Sequence, residues 1–101
     1  GREKSKGRTK EDNLKIHQGI IDIFGEFGQI RNTDPASEEA QAMVKKLQDY
    51  ITEHMYTCTK EILSGLGMMY GGGGDFTTNI DKMGGEGTAE FASRAIEIYC
   101  R

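Results

Sequence analysis

The sequence lacks any apolar run of the length a membrane span needs, and no signal peptide is visible at its start. It holds only two cysteines, Cys58 and Cys100, whose separation matches no zinc-site spacing. Such scarcity in an otherwise ordinary soluble chain points to free thiols in a reducing compartment, so a cytoplasmic location is expected. Strand-like alternation is missing throughout, which excludes a β or α/β architecture. Several chemistries are missing as well. The four glycines at 71–74 are no phosphate loop, because the Gly-x-x-x-x-Gly-Lys-[Ser/Thr] pattern and its preceding strand are absent. There is no Gly-x-Ser-x-Gly elbow, since Ser64 and Gly65 fall inside a helical pattern. His54 and Cys58 stand at i,i+4, but zinc needs further ligands, and catalysis needs an orienting carboxylate and an oxyanion site. Neither is apparent, so this pair reads as a half-buried corner. The sequence predicts no enzyme, no metal and no cofactor.

What is present is one domain of 101 residues with a modest core, given a 36% apolar fraction. The net charge of −3 is unevenly spread. Arg2, Lys4, Lys6, Arg8 and Lys10 crowd the start against one acid, Glu3, and the remainder is acidic. A basic tail can meet phosphate, although a solvated tail or the end of a charged helix is the plainer reading. An acidic body argues against nucleic-acid binding by this domain. Residues 1–8 carry no apolar side chain and are expected to be flexible, leaving 9–101 as the folded unit. The abrupt start suggests a piece of a longer protein.

The spacing predicts five helices and an all-α fold. The first runs from Thr9, a cap with Asp12 three residues on, to about Ile30, with Ile16, Ile20, Ile23, Phe24 and Phe27 on one face. Gly19 and Gly25 within it permit close helix contact or leave room for a guest. The second is expected to be capped by Asp34, with Pro35 at its first position, and to end near His54. Thr59 caps the third, whose apolar stripe is Ile62, Leu63, Leu66, Met69 and Tyr70. After the glycine hinge comes a short fourth helix with Asp75 as its cap and Phe76 and Ile80 at i,i+4. Thr88 is expected to cap the fifth, with Phe91, Ala92, Ala95, Ile96 and Tyr99 on one side.

The stretch 61–81 joins the most large apolar side chains to the most permissive backbone, and flexible, polarizable Met residues there suggest an adaptable surface. It also carries a family resemblance. Leu66, Gly67, Met69 and Tyr70, then a short loop, then Phe76, Thr77, Asn79, Ile80 and Asp81 resemble the TipA-type (TipAS) effector domain of MerR-family transcription activators. Weaker likeness extends from about Thr9 to Ile98, through Lys10, Glu11 and Asp12, the corner from His54 to Cys58, and residues 87–96.

The resemblance implies a shortened globin-like fold without haem and an apolar cleft for large hydrophobic antibiotics, notably thiopeptides. It further implies an N-terminal segment that folds over the drug. In full-length members a winged-helix DNA-binding domain and a dimerising coiled coil precede this domain, so DNA contact and homodimerisation are expected to reside outside this chain. Some members carry a cysteine that bonds to a dehydroalanine of the antibiotic. The matching position here is Gly65, and Cys58 matches a neighbouring cysteine, so capture is expected to be non-covalent. The four glycines replace a more polar, acidic loop, and the hinge should be looser.

Combining both readings, the candidate ligand-binding residues are Ile20, Phe24, Met55, Tyr56, Leu63, Leu66, Met69, Tyr70 and Phe76. An apolar stripe at helical spacing is also what ordinary core looks like, so part of this set is expected to meet ligand and part to be buried. Asn79 and Asp81 read as residues that hold the turn through local hydrogen bonds. Two alternatives to a drug-sensing regulator are a stand-alone drug-sequestering protein and a helical module that binds a partner helix.

Overall fold

The computed structural model describes residues 9–101, so the expectation of a flexible basic segment at 1–8 lies outside the described residues. The fold is all-α. Five helices follow one another: α1 (Lys10–Gln29), α2 (Glu38–His54), α3 (Lys60–Gly71), α4 (Asp75–Gly84) and α5 (Thr88–Tyr99), with no strand among the described residues. Helix α1 packs on α4, α2 and α5, whereas α3 is held by α5 and α4. Phe27, Val44, Leu47, Leu63 and Ile96 are sealed at the centre, with Ala40, Ala89, Ala92 and Ala95 letting α2 and α5 come close. Ring contacts stitch this core across helices. Phe27 meets Phe91 at 6.3 Å, and Phe24 meets Tyr70 edge-on at 5.2 Å, bridging α1 to α3.

Two helix starts follow the sequence reading. Thr9 and Asp12 form a reciprocal capping box: the Asp12 amide donates to Thr9 Oγ1 and the Thr9 amide to the Asp12 carboxylate, each at 3.1 Å. Thr59 Oγ1 accepts from the Ile62 amide at 3.2 Å and caps α3.

The other three starts differ from expectation, each for a local reason. Ser37, not Asp34, caps α2, accepting from the Ala40 amide at 3.1 Å. Asp34 instead closes the turn before it, taking the Ala36 amide at 2.8 Å on its carboxylate and the Ser37 amide at 2.9 Å on its carbonyl. Asp-Pro suits a turn as well as a helix start, and Gln41 anchors the turn by donating to Pro35 O and Ala95 O. Gly74 holds the cap position of α4 with φ +82°, a conformation that Asp75 would adopt only with strain. Asp75 therefore becomes the first helical residue, where its charge still suits the helix dipole. Gly87, at φ +94°, occupies the cap of α5, and Thr88 is buried with its hydroxyl on Gly85 O at 2.7 Å.

The missing acceptor at the start of α5 comes from α4, where Asp81 takes the Ala89 amide at 2.9 Å. Asp81 thus holds the α4–α5 turn by a hydrogen bond, while Asn79 is exposed. Arg31 secures the same region from the end of α1, donating to Glu86 O at 3.0 Å and Gly84 O at 3.2 Å. Close backbone approach occurs at Gly28 against Gly84 and at Gly19 under the Tyr50 ring, whereas Gly25 has ordinary clearance.

Candidate functional site

Helix α3 presents three kinds of side. One faces α5, where Gly67 lies against Ile96 and Gly71 against Ser93, so nothing larger fits without displacement. The second, carrying Leu63 and Tyr70, enters the core. The third carries Ile62, Leu66 and Met69 at i, i+4 and i+7 and lies beside the core face, away from α5. Ile62 and Met69 are exposed and Leu66 is half-buried.

The linker from α3 to α4 positions the next apolar group. Gly73 and Gly74 take positive φ, so the chain reverses within a few residues. Thr77 then pins the reversal, its hydroxyl donating to Tyr70 O at 2.7 Å and accepting from the Gly73 amide at 2.9 Å. The hinge expected to be loose is thereby tied at both ends. Phe76, next to Thr77, shares a helical face with Ile80 and Met83 but is exposed itself.

The corner between α2 and α3 supplies Met55 and Tyr56, both exposed. Its backbone is set from behind. Gln48 donates to Cys58 O at 2.9 Å and accepts from the Tyr99 hydroxyl at 2.8 Å, while Thr52 Oγ1 accepts from the Cys58 amide at 3.0 Å. Cys58 is buried, and burial pushes its thiol pKa up. His54 packs its ring against Tyr50, tilted, at 4.5 Å. Among the described residues no group of three His, Cys, Asp or Glu side chains is placed to hold a metal ion.

The nine candidate residues divide by depth. Phe24 and Leu63 are core, 2% and 0% exposed, and back the surface rather than line it. Ile20 and Leu66 are half-buried against that core. Tyr70 is buried, with its ring on Phe24. Met55, Tyr56, Met69 and Phe76, joined by Ile62, are 41–54% exposed. Ile62 was legible as part of the α3 stripe but was not among the candidates. Gly65 belongs to the same exposed stretch of α3, and a side chain there would meet open space.

A depression lies on the other flank of α3. This groove of about 570 Å³ is lined by Ser64, Gly67, Met68, Gly71, Glu90 and Ser93, with Arg94 and Glu97 at its side. It contains none of the nine candidates, and its charged wall is the Glu90–Arg94 pair at 3.6 Å.

Comparison with known proteins decides the family. The sequence profile of the TipAS antibiotic-recognition domain matches residues 1–99. The chain belongs to that family. It is similar to the HTH-type transcriptional activator mta of Bacillus subtilis (strain 168), with 42% identity over 66 residues. That match takes in 65% of this chain and 25% of the activator, so the chain corresponds to about a quarter of its relative's length. No solved structure gives a significant match. As a TipAS domain, the chain is built to recognise a small-molecule ligand; α3, α4 and the 55–56 corner leave Met55, Tyr56, Ile62, Met69 and Phe76 exposed, and Leu14 on α1 and Met68 on the other flank of α3 are exposed as well. No helix among the described residues is long and apolar enough to cross a membrane.

Proposed function

We propose that this TipAS domain is the ligand-sensing half of a MerR-type transcription activator and binds large hydrophobic drugs, thiopeptides among them, without catalysis and without a covalent bond. One observation carries this reading. Met55, Tyr56, Ile62, Met69 and Phe76 stay 41–54% exposed, whereas Leu63, Tyr70 and Ile80 on α3 and α4 are buried. An apolar surface left open by a small protein marks an interaction site. Covering it releases about 25 cal/mol per Å² of apolar area, which favours a large hydrophobic guest. Met side chains adapt to guests of different shape, which suits a multidrug sensor.

Coupling to transcription is the further part of the proposal. Its support is the likeness to a transcriptional activator of which this chain matches only a quarter. A DNA-binding domain and a dimerising helix would lie in the part outside this chain. Ligand binding would bias the orientation of those elements.

Thermal melting and intact-mass measurement with a panel of thiopeptides and other hydrophobic drugs test the reading. A raised Tm with an unchanged protein mass is expected. No Tm shift with any compound would contradict it. Substitution of Gly65→Cys should convert binding to capture, because the open position lets the thiol add across a dehydroalanine double bond and gain the full mass of the antibiotic.

A further inference from the structure

The glycines at 71–74 give the chain no side chain to pack, and a Cβ added at Gly73 or Gly74 would meet nothing within 4 Å. Packing therefore does not hold this linker, and a glycine backbone is the costliest to order. Helix α4, which follows it, has 10 residues, too few for a helix to stand alone in water. Phe76 lies in the first turn of α4 and is 54% exposed, so its place is set by its backbone more than by its own contacts. Most hydrogen bonds around the linker stay within one helix end. The Gly72 amide donates to Met69 O at 3.3 Å, and the Thr78 amide and hydroxyl donate to Gly74 O at 3.1 and 3.0 Å. The Thr77 hydroxyl is different. It donates to Tyr70 O, an acceptor in the last turn of α3, at 2.7 Å and accepts from the Gly73 amide at 2.9 Å. Among the described residues it makes the only hydrogen bond between α3 and α4.

We propose that Thr77 is a positioning residue for ligand recognition: its hydroxyl clasps the glycine hinge and so presents Phe76 to a hydrophobic guest already in place. The inference rests on the reading of Phe76 as a ligand contact and adds a residue that acts through its neighbour. The physical reason is preorganisation. A guest that meets Phe76 on a loose hinge has to order the hinge as well, and the entropy lost lowers its affinity. With the clasp closed, that ordering has already occurred on folding. The clasp needs a hydroxyl rather than bulk, since one group has to donate to Tyr70 O and accept from the Gly73 amide. Valine keeps the shape of threonine without either capacity, and serine keeps both.

Two measurements on the chain test this. Amide hydrogen exchange followed by NMR reads the clasp with no ligand present. The Gly73 amide should be protected in the wild type and in Thr77→Ser, and should exchange about tenfold faster in Thr77→Val. Titration with Nile red, an apolar dye, reads the consequence for binding. Thr77→Val should bind it about fivefold more weakly, whereas Thr77→Ser should stay within about twofold of the wild type. Phe76→Ala should weaken the dye too, and adding Thr77→Val to that variant should weaken it no further, because the clasp acts through Phe76.

Equal Nile red affinity of the wild type and Thr77→Val would overturn the positioning role and leave the ligand reading intact. So would an equal loss from valine and serine, or a full loss from valine in the Phe76→Ala background. An unprotected Gly73 amide in the wild type would overturn it with neither variant nor ligand. Failure of Nile red and of every thiopeptide in the panel to bind the wild type would overturn the ligand reading itself, and this inference with it.

Discussion

The two flanks of α3 are made of the same helix and treated in opposite ways. Toward α5, Gly67 and Gly71 remove side chains so that Ile96 and Ser93 can lie against the backbone. On the other flank, Ile62 and Met69 keep large apolar side chains that stay exposed, while Leu66 is half-buried against the core. Close packing makes the first flank sensitive to added volume. The second flank contributes less to stability, and its value lies in what can be placed on it. Recognition surface and core thus share a helix, and Tyr70, buried with its ring on Phe24, belongs to the core side.

Substitutions can break that comparison. The largest effect is expected for Leu63→Ala, which empties a fully buried site and should lower the unfolding free energy by about 3 kcal/mol in urea titration. A result below about 1 kcal/mol would mean that the α3 core face is loosely packed.

Tyr70 gives the next effect, and it depends on pH. Its folded pKa of about 12 exceeds the ordinary 10.0, so the folded state holds the phenolic proton more tightly than the unfolded one. The contribution is complete below pH 10 and is lost as pH rises through about 12. It amounts to ~3 kcal/mol over that window. Wild-type and Tyr70→Phe stability curves should therefore diverge only above pH 10.

Gly67→Ala comes third. A methyl group there would meet Ile96 Cγ2 at 2.8 Å, and displacing that flexible side chain should cost about 1–2 kcal/mol. The smallest stability effect is expected on the open flank. Met69→Ala and Phe76→Ala should change the unfolding free energy by no more than about 0.5 kcal/mol. Each should nonetheless weaken a bound hydrophobic drug severalfold, through lost apolar contact. A large loss of stability from either would place that side chain in the core.

The helix count and the apolar faces were legible because 3.6-residue periodicity is a local property of the chain. So were the caps at Thr9 and Thr59, each a hydroxyl three residues ahead of the amide it takes. The starts of α2, α4 and α5 were not. Asp34 sits where a turn and a helix compete, and Gly74 and Gly87 are required by a positive φ that sequence does not display. The acceptor for α5 comes from Asp81 on another helix, and Arg31 clasps a turn more than fifty residues away; both are tertiary facts.

Depth in the candidate site was equally hidden. Leu63 and Met69 belong to one stripe, and only the placement of α1, α4 and α5 shows that the first is sealed and the second open. The membership of Gly67 and Tyr70 in a family motif was readable, but their separate tasks, close packing on Ile96 and a core ring contact with Phe24, were not.

The most direct measurement is an amide NMR titration of the chain with a thiopeptide that raises its Tm. The account predicts that shifts concentrate at Met55, Tyr56, Ile62, Leu66, Met69, Tyr70 and Phe76. Shifts centred instead on Ser64, Met68, Ser93 and Glu97, in the groove between α3 and α5, would contradict it.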